Sequence, residues 1–132
     1  MKIDHIGIAV AKLDAVVPIY EQLGMELELV EEVVSQGVRV AMFPAGESRV
    51  ELLEPLNEES PIAKFLARRG SGVHHIAFRV SDLAAELERL KARGVRLVDE
   101  EPRKGAHGAL IAFLHPASTG GVLVELCQQE AS

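Results

Sequence analysis

The sequence predicts an α+β fold of two tandem βαβββ modules, and three observations predict it. The first is an internal echo: His5-Ile6-Gly7-Ile8-Ala9-Val10 returns 70 residues later as His75-Ile76-Ala77-Phe78-Arg79-Val80. Laid without a gap, residues 5–29 and 75–99 agree at seven of 25 positions: His5/His75, Ile6/Ile76, Val10/Val80, Leu13/Leu83, Ala15/Ala85, Gly24/Gly94 and Leu27/Leu97. Chance gives roughly two on average residue usage. The second observation is that each copy opens on a period-two alternation and continues into a helical period. The third is length: 132 residues make one domain, so a repeat of this size has to be two half-domains packed together.

Residues 2–10 alternate as a strand, with Ile6, Ile8 and Val10 on one face and His5, Gly7 and Ala9 on the other. Leu13, Val16, Val17, Tyr20 and Leu23 recur at helical spacing before Gly24, which predicts a helix over 12–23. Three strands follow at 26–34, 37–44 and 48–54, parted by Ser35-Gln36-Gly37 and by Pro44-Ala45-Gly46-Glu47-Ser48. Pro55 closes the module, and Ser60-Pro61 reads as an N-cap with proline at the first helical position. Ile62, Phe65 and Leu66 make that helix amphipathic, and Gly70 ends it. Val73 begins the second copy: a strand at 73–80, Asp82 as cap, a helix to about Arg93, then strands at 95–99, 108–114 and 121–127. The expected organisation is a single domain over 1–132, with module one at 1–55, a linker helix at 56–71 and module two at 72–128.

Composition narrows the function. A net charge of −6 argues against general binding to nucleic acid or an anionic membrane, both of which need a basic face. An anionic ligand then needs a local cluster of Arg and Lys. Cys127 is the one cysteine, so neither an internal disulfide nor a zinc knuckle is available. No apolar run approaches the roughly 20 residues of a membrane span, and Met1-Lys2-Ile3-Asp4 lacks the apolar stretch of a signal peptide. A cytoplasmic enzyme or binding domain is the expectation.

The modules also end alike. Val50-Glu51-Leu52 matches Val124-Glu125-Leu126, now at an offset of 74, because the 116–121 turn is four residues longer. The repeat thus pairs His5 with His75 and Glu51 with Glu125, each opposite the branched aliphatic face of its strand. If helices cover the aliphatic faces, the four residues line the concave side of a curved mixed sheet around a metal-binding cavity. Two imidazoles and two carboxylates suit a divalent ion with octahedral preference. Co²⁺, Mn²⁺, Ni²⁺ and Zn²⁺ all suit that donor set, and availability chooses among them more than affinity does. Other titratable residues read differently. Parity puts His74 with Ile76 and Phe78 on the core side, so it is structural. His115, before Pro116, is a turn residue, and Cys127 is a small buried thiol. His107, in Gly105-Ala106-His107-Gly108, sits in an exposed turn whose glycines allow a backbone to approach a ligand.

Paired βαβββ modules that each supply a His and a Glu resemble the vicinal oxygen chelate superfamily, and within it the methylmalonyl-CoA epimerase family. The resemblance runs over almost the whole chain. It is carried by Ile3-Asp4-His5-Ile6-Gly7-Ile8-Ala9-Val10, by Val50-Glu51-Leu52-Leu53-Glu54-Pro55-Leu56, by Ser60-Pro61-Ile62-Ala63-Lys64-Phe65-Leu66 and by Gly72-Val73-His74-His75-Ile76-Ala77-Phe78. It continues through Gly105-Ala106-His107-Gly108 and Phe113-Leu114-His115-Pro116 to Gly121-Val122-Leu123-Val124-Glu125-Leu126. The linker passage is the most specific, since it lies outside the superfamily's shared core.

The resemblance implies metal ligands at His5, Glu51, His75 and Glu125, an acyl-CoA substrate, a homodimer, and interconversion of (2R)- and (2S)-methylmalonyl-CoA through a metal-stabilised enolate. Two departures matter. The Glu51 position is Gln in some members, and a third-strand glutamate used by some as an acid/base group aligns here with Val40. Inversion needs two acid/base groups, so Glu125 and Glu51 are the candidates, with His107 outside them. Arg39, Arg103 and Lys104 are the cations assigned to the anionic coenzyme. Glyoxalase I is the nearest competing enzyme reading, and a non-catalytic binding module of the same fold is the alternative from another class.

Overall fold

The computed structural model describes residues 1–129. The elements are β1 (Lys2–Ala9), α1 (Leu13–Gln22), β2 (Leu29–Val33), β3 (Val38–Ala45), β4 (Ser48–Pro55), α2 (Pro61–Arg69), β5 (Gly72–Arg79), α3 (Leu83–Ala92), β6 (Arg103–Lys104), β7 (Leu110–Leu114) and β8 (Val124–Gln128). This is βαβββ twice, with α2 between. The chain divides into two compact units, one of residues His5–His74, the other of Met1–Asp4 with the residues from His75 onward.

In the first unit the strands lie in the order β2-β3-β4-β1. β1 runs parallel to β4, with His5 opposite Arg49 and Gly7 opposite Glu51, while β2–β3 and β3–β4 are antiparallel. Alternation sends one face of these strands onto α1. Val10, Leu13, Ala41, Phe43 and Leu52 form the buried centre, and Ile8, Val16, Val17, Tyr20 and Val50 pack against it. The linker helix starts as its sequence predicts: Ser60 Oγ accepts from the Ile62 N–H at 3.1 Å, Pro61 occupies the first turn and Gly70 caps the end. Gly37, with φ +68°, passes so close that a Cβ there would stand 3.2 Å from Ser60 Cβ. A side chain at 37 would therefore disturb both its own turn and the α2 cap.

The second unit repeats the plan in the order β5-β8-β7-β6. β5 is parallel to β8, and Ala77 opposite Glu125 reproduces Gly7 opposite Glu51. Its core is Leu83, Leu87, Ala112, Leu114 and Leu126, joined by Phe78, Val80, Leu90 and Leu97. Asp82 Oδ1 accepts from the Ala85 N–H at 3.2 Å, capping α3.

One predicted element is absent. Residues 95–99 make only a single bridge, Leu97 to Leu114, rather than a strand. The ladder is interrupted because the Asp99 carboxylate takes the Phe113 N–H at 2.9 Å, while the Val98 and Asp99 amides both turn to the Phe113 carbonyl. The strand that pairs with β7 is instead β6, two residues long and antiparallel. Elsewhere the differences are at ends: β2 begins at Leu29, β7 at Leu110 and β8 at Val124.

Each module helix is anchored by its own last strand. The Leu13 N–H donates to Glu54 Oε1 and the Leu83 N–H to Gln128 Oε1, both at 2.8 Å. These satisfy amides that an α-helix leaves without partners at its N-terminus. Gln128→Ala and Glu54→Ala are each expected to lower the unfolding free energy by about 1 kcal/mol. Urea melts should show a lower midpoint with an unchanged slope, and a changed slope would point to a rearranged native state instead.

Candidate functional site

Each unit carries one buried His–Glu pair, built in the same way. In the first unit the parity of β1 and β4 turns His5 and Glu51 away from α1. His5 is 5% and Glu51 4% exposed, and His5 Nδ1 stands 3.5 Å from Glu51 Oε2. In the second unit the parity of β5 and β8 does the same for His75 and Glu125, 5% and 4% exposed, with Nε2 to Oε1 at 3.0 Å. The four residues selected by the repeat therefore come together two by two. His5, His75 and Glu125 all offer buried ligand atoms, and imidazole nitrogens with carboxylate oxygens are donors that divalent first-row ions accept. Four buried titratable groups are costly without such a partner.

The surroundings of the two pairs differ. Glu51 Oε2 also receives Arg49 Nε at 3.3 Å and an Arg49 terminal nitrogen at 3.2 Å. Beside Glu125, Phe113 lies opposite it in the β7–β8 register, and the Phe113 ring meets the His75 ring edge-on at 5.5 Å between centroids. Leu123 packs in the cluster of Ala109, Ile111, Phe113 and Cys127. Cys127 is buried, as its reading as a packed thiol requires.

The other candidates fall as follows. His74 is half-buried, with its ring T-stacked on Phe65 at 5.0 Å, which gives it a packing role. His115 Nδ1 accepts from the Ala117 N–H at 3.0 Å and so closes its turn. Arg39, on β3, is 45% exposed and pairs with Glu32 at 3.2 Å. Arg103 sits 3.2 Å from Asp99 and over the Phe113 ring at 5.7 Å, so this guanidinium is engaged within its own unit. Lys104 is exposed on β6, and the nearby His107 is exposed with φ 61°. Val40 is buried at 2% and lies opposite Leu53, so β3 offers no carboxylate there.

Two residues of consequence escaped the sequence reading. Arg49 was visible only as a residue sharing the face of Glu51. Asp4, immediately before His5, is fully buried; its Oδ1 accepts from Arg79 Nε at 3.1 Å and Gln129 Nε2 at 2.7 Å, with a terminal nitrogen of Arg79 at 3.0 Å. It ties the start of β1 to β5 and the end of β8. The signal that could have found it is an acidic residue inside an otherwise apolar strand opening.

The family profile described as the glyoxalase/bleomycin resistance protein/dioxygenase superfamily matches residues 4–113. The ethylmalonyl-CoA/methylmalonyl-CoA epimerase of Cereibacter sphaeroides is 41% identical over 130 residues, covering 96% of this chain and 97% of that protein. The crystal structure of methylmalonyl-CoA epimerase from Mycobacterium tuberculosis superposes with a TM-score of 0.93 at 45% identity, covering 98% of this chain and 88% of that one. A hypothetical protein of Bacillus halodurans gives a TM-score of 0.96 at 48% identity, with 99% and 96% covered. The chain belongs to the glyoxalase/bleomycin resistance protein/dioxygenase superfamily and, within it, to the methylmalonyl-CoA epimerase family.

Removing Asp4 as an acceptor strands donors on two elements. Asp4→Ala is expected to cost about 2–3 kcal/mol, whereas His74→Ala, which removes the stack on Phe65, should cost about 1 kcal/mol. Chemical denaturation of the two variants side by side checks the order; an equal loss would mean that the Asp4 contacts contribute nothing beyond packing.

Proposed function

We propose that this chain interconverts (2R)- and (2S)-methylmalonyl-CoA by removing and returning the proton at C2, with a divalent ion held by His5, Glu51, His75 and Glu125. The observation that carries the reading is the buried His–Glu pair recurring in each module. It is supported by relatives of matching length that bear the epimerase name. The donor set fits a divalent ion, with two buried imidazoles and two buried carboxylates. When bound, the ion supplies Lewis-acid stabilisation of the negative charge that develops at the thioester oxygen.

The protein's own groups do the rest. A proton must leave one face of C2 and return to the other, which asks for two acid/base groups. Glu125 is assigned the first role, because it is buried opposite Phe113, where little water competes with a carboxylate that has to accept a proton. Glu51 is assigned the second, since Val40 supplies no alternative on β3. Arg39, Lys104 and His107 are assigned to the anionic coenzyme, with Lys104 and His107 exposed near one another in sequence. Co²⁺ as the ion, a homodimer and a cytoplasmic location complete the proposal. No helix among the described residues is long and apolar enough to cross a membrane.

Incubation with methylmalonyl-CoA in deuterated water should give exchange at C2 that stops with chelator and returns with Co²⁺. Turnover of a hemithioacetal without such exchange would move the assignment to a glyoxalase. Glu125→Gln should bind the ion yet lower kcat by about 10²–10⁴-fold; full activity in that variant would remove Glu125 from proton transfer.

A further inference from the structure

The first unit places a third charged side chain in its His–Glu pair. Arg49 precedes Glu51 by two residues on the same face of β4 and stands directly across from His5 in the parallel register. Two of its nitrogens donate to Glu51 Oε2 at 3.3 and 3.2 Å, and His5 Nδ1 lies 3.5 Å from that same oxygen. Three nitrogens thus converge on one carboxylate oxygen. The side chains are only 16% and 5% exposed, so water screens this contact weakly. A guanidinium keeps its charge at any working pH, and its two nitrogens on Oε2 hold that one oxygen in place. At the equivalent position of the second unit, two residues before Glu125, stands Leu123, packed against an apolar cluster.

We propose that Arg49 is a positioning residue that acts through Glu51, holding Oε2, leaving Oε1 as the donor oxygen, and cancelling the charge of one of the two site carboxylates. The inference rests on the metal-dependent reading above. Its physical reason is charge balance: a dication between two bare carboxylates carries no net charge and is a weak Lewis acid. One clamped arginine restores a net positive charge to the site. The two glutamates, matched by the repeat, thus have an arginine and a leucine at the equivalent neighbouring positions.

A double-mutant cycle tests this, with Co²⁺ binding read by calorimetry and C2 exchange read by kcat and KM. Arg49→Met should tighten Co²⁺ binding about tenfold, as expected for loss of one neighbouring positive charge, while kcat falls by a similar factor and KM is unchanged. In a Glu51→Gln background the same substitution should tighten Co²⁺ binding clearly less than in the wild type, because the part of the effect carried through the Glu51 contact is gone and only the direct charge effect remains. Arg49→Lys, which keeps the charge but not the fork, should leave Co²⁺ affinity near wild type and still lower kcat. Tighter binding together with slower turnover is a signature that loss of structural support does not produce. Weaker Co²⁺ binding in Arg49→Met, equal effects in both backgrounds, or tightening in Arg49→Lys would overturn the proposal. If the wild type binds Co²⁺ but shows no C2 exchange, the epimerase reading fails, and the calorimetric cycle still decides the role of Arg49.

Discussion

The parallel pairing of each module's first strand with its last is the constraint on which the rest depends. Parallel neighbours cannot be joined by a tight turn, so the chain has to leave β1, form α1 and two more strands, and return as β4. That return fixes Gly7 opposite Glu51, and the equivalent return fixes Ala77 opposite Glu125. Since side chains alternate with period two, the register decides everything about the face away from the helices. A slip of one residue would send His5 or Glu51 into the aliphatic core under α1. The site is therefore specified by the same alternation that buries Val10, Phe43 and Leu52. A small residue, Gly7 or Ala77, opposite each glutamate leaves space beside the carboxylate for the histidine two positions earlier.

Two copies of one backbone plan do not make two equal sites. The β1–β4 pair carries a guanidinium next to its glutamate, and the β5–β8 pair carries an aromatic ring and a leucine. In a low-dielectric setting those neighbours matter more than the shared geometry. Duplication supplies matched positions, and substitution around them supplies different chemistry.

Much of this was legible in the sequence because it is periodic. The offsets of 70 and 74, the strand parity, the Ser60-Pro61 and Asp82 caps and the glycine stops all reflect local rules that act within a few residues. What was not legible depends on partners far away in the chain. Residues 95–99 read as a strand, but Asp99 supplies a side-chain acceptor that replaces the ladder at Phe113. Asp4 falls by parity on the aliphatic face of β1 with Ile6 and Ile8, and what holds an acid there, Arg79 of β5 and Gln129 just after β8, is far away in the chain. Arg49 was on the right face by parity, yet only the direction of its side chain shows that it grips one oxygen of Glu51.

The caps extend the same logic to stability. Glu54 and Gln128 sit three residues beyond Glu51 and Glu125, on the opposite face of the same strands, and each holds the first amide of its module's helix. Odd spacing along a strand sends the glutamate to one face and the cap to the other, so one short segment serves both. The helix and the site are thereby fixed to a common strand register: a register error that withdrew the carboxylate would uncap the helix as well. That coupling raises the cost of misregistered states.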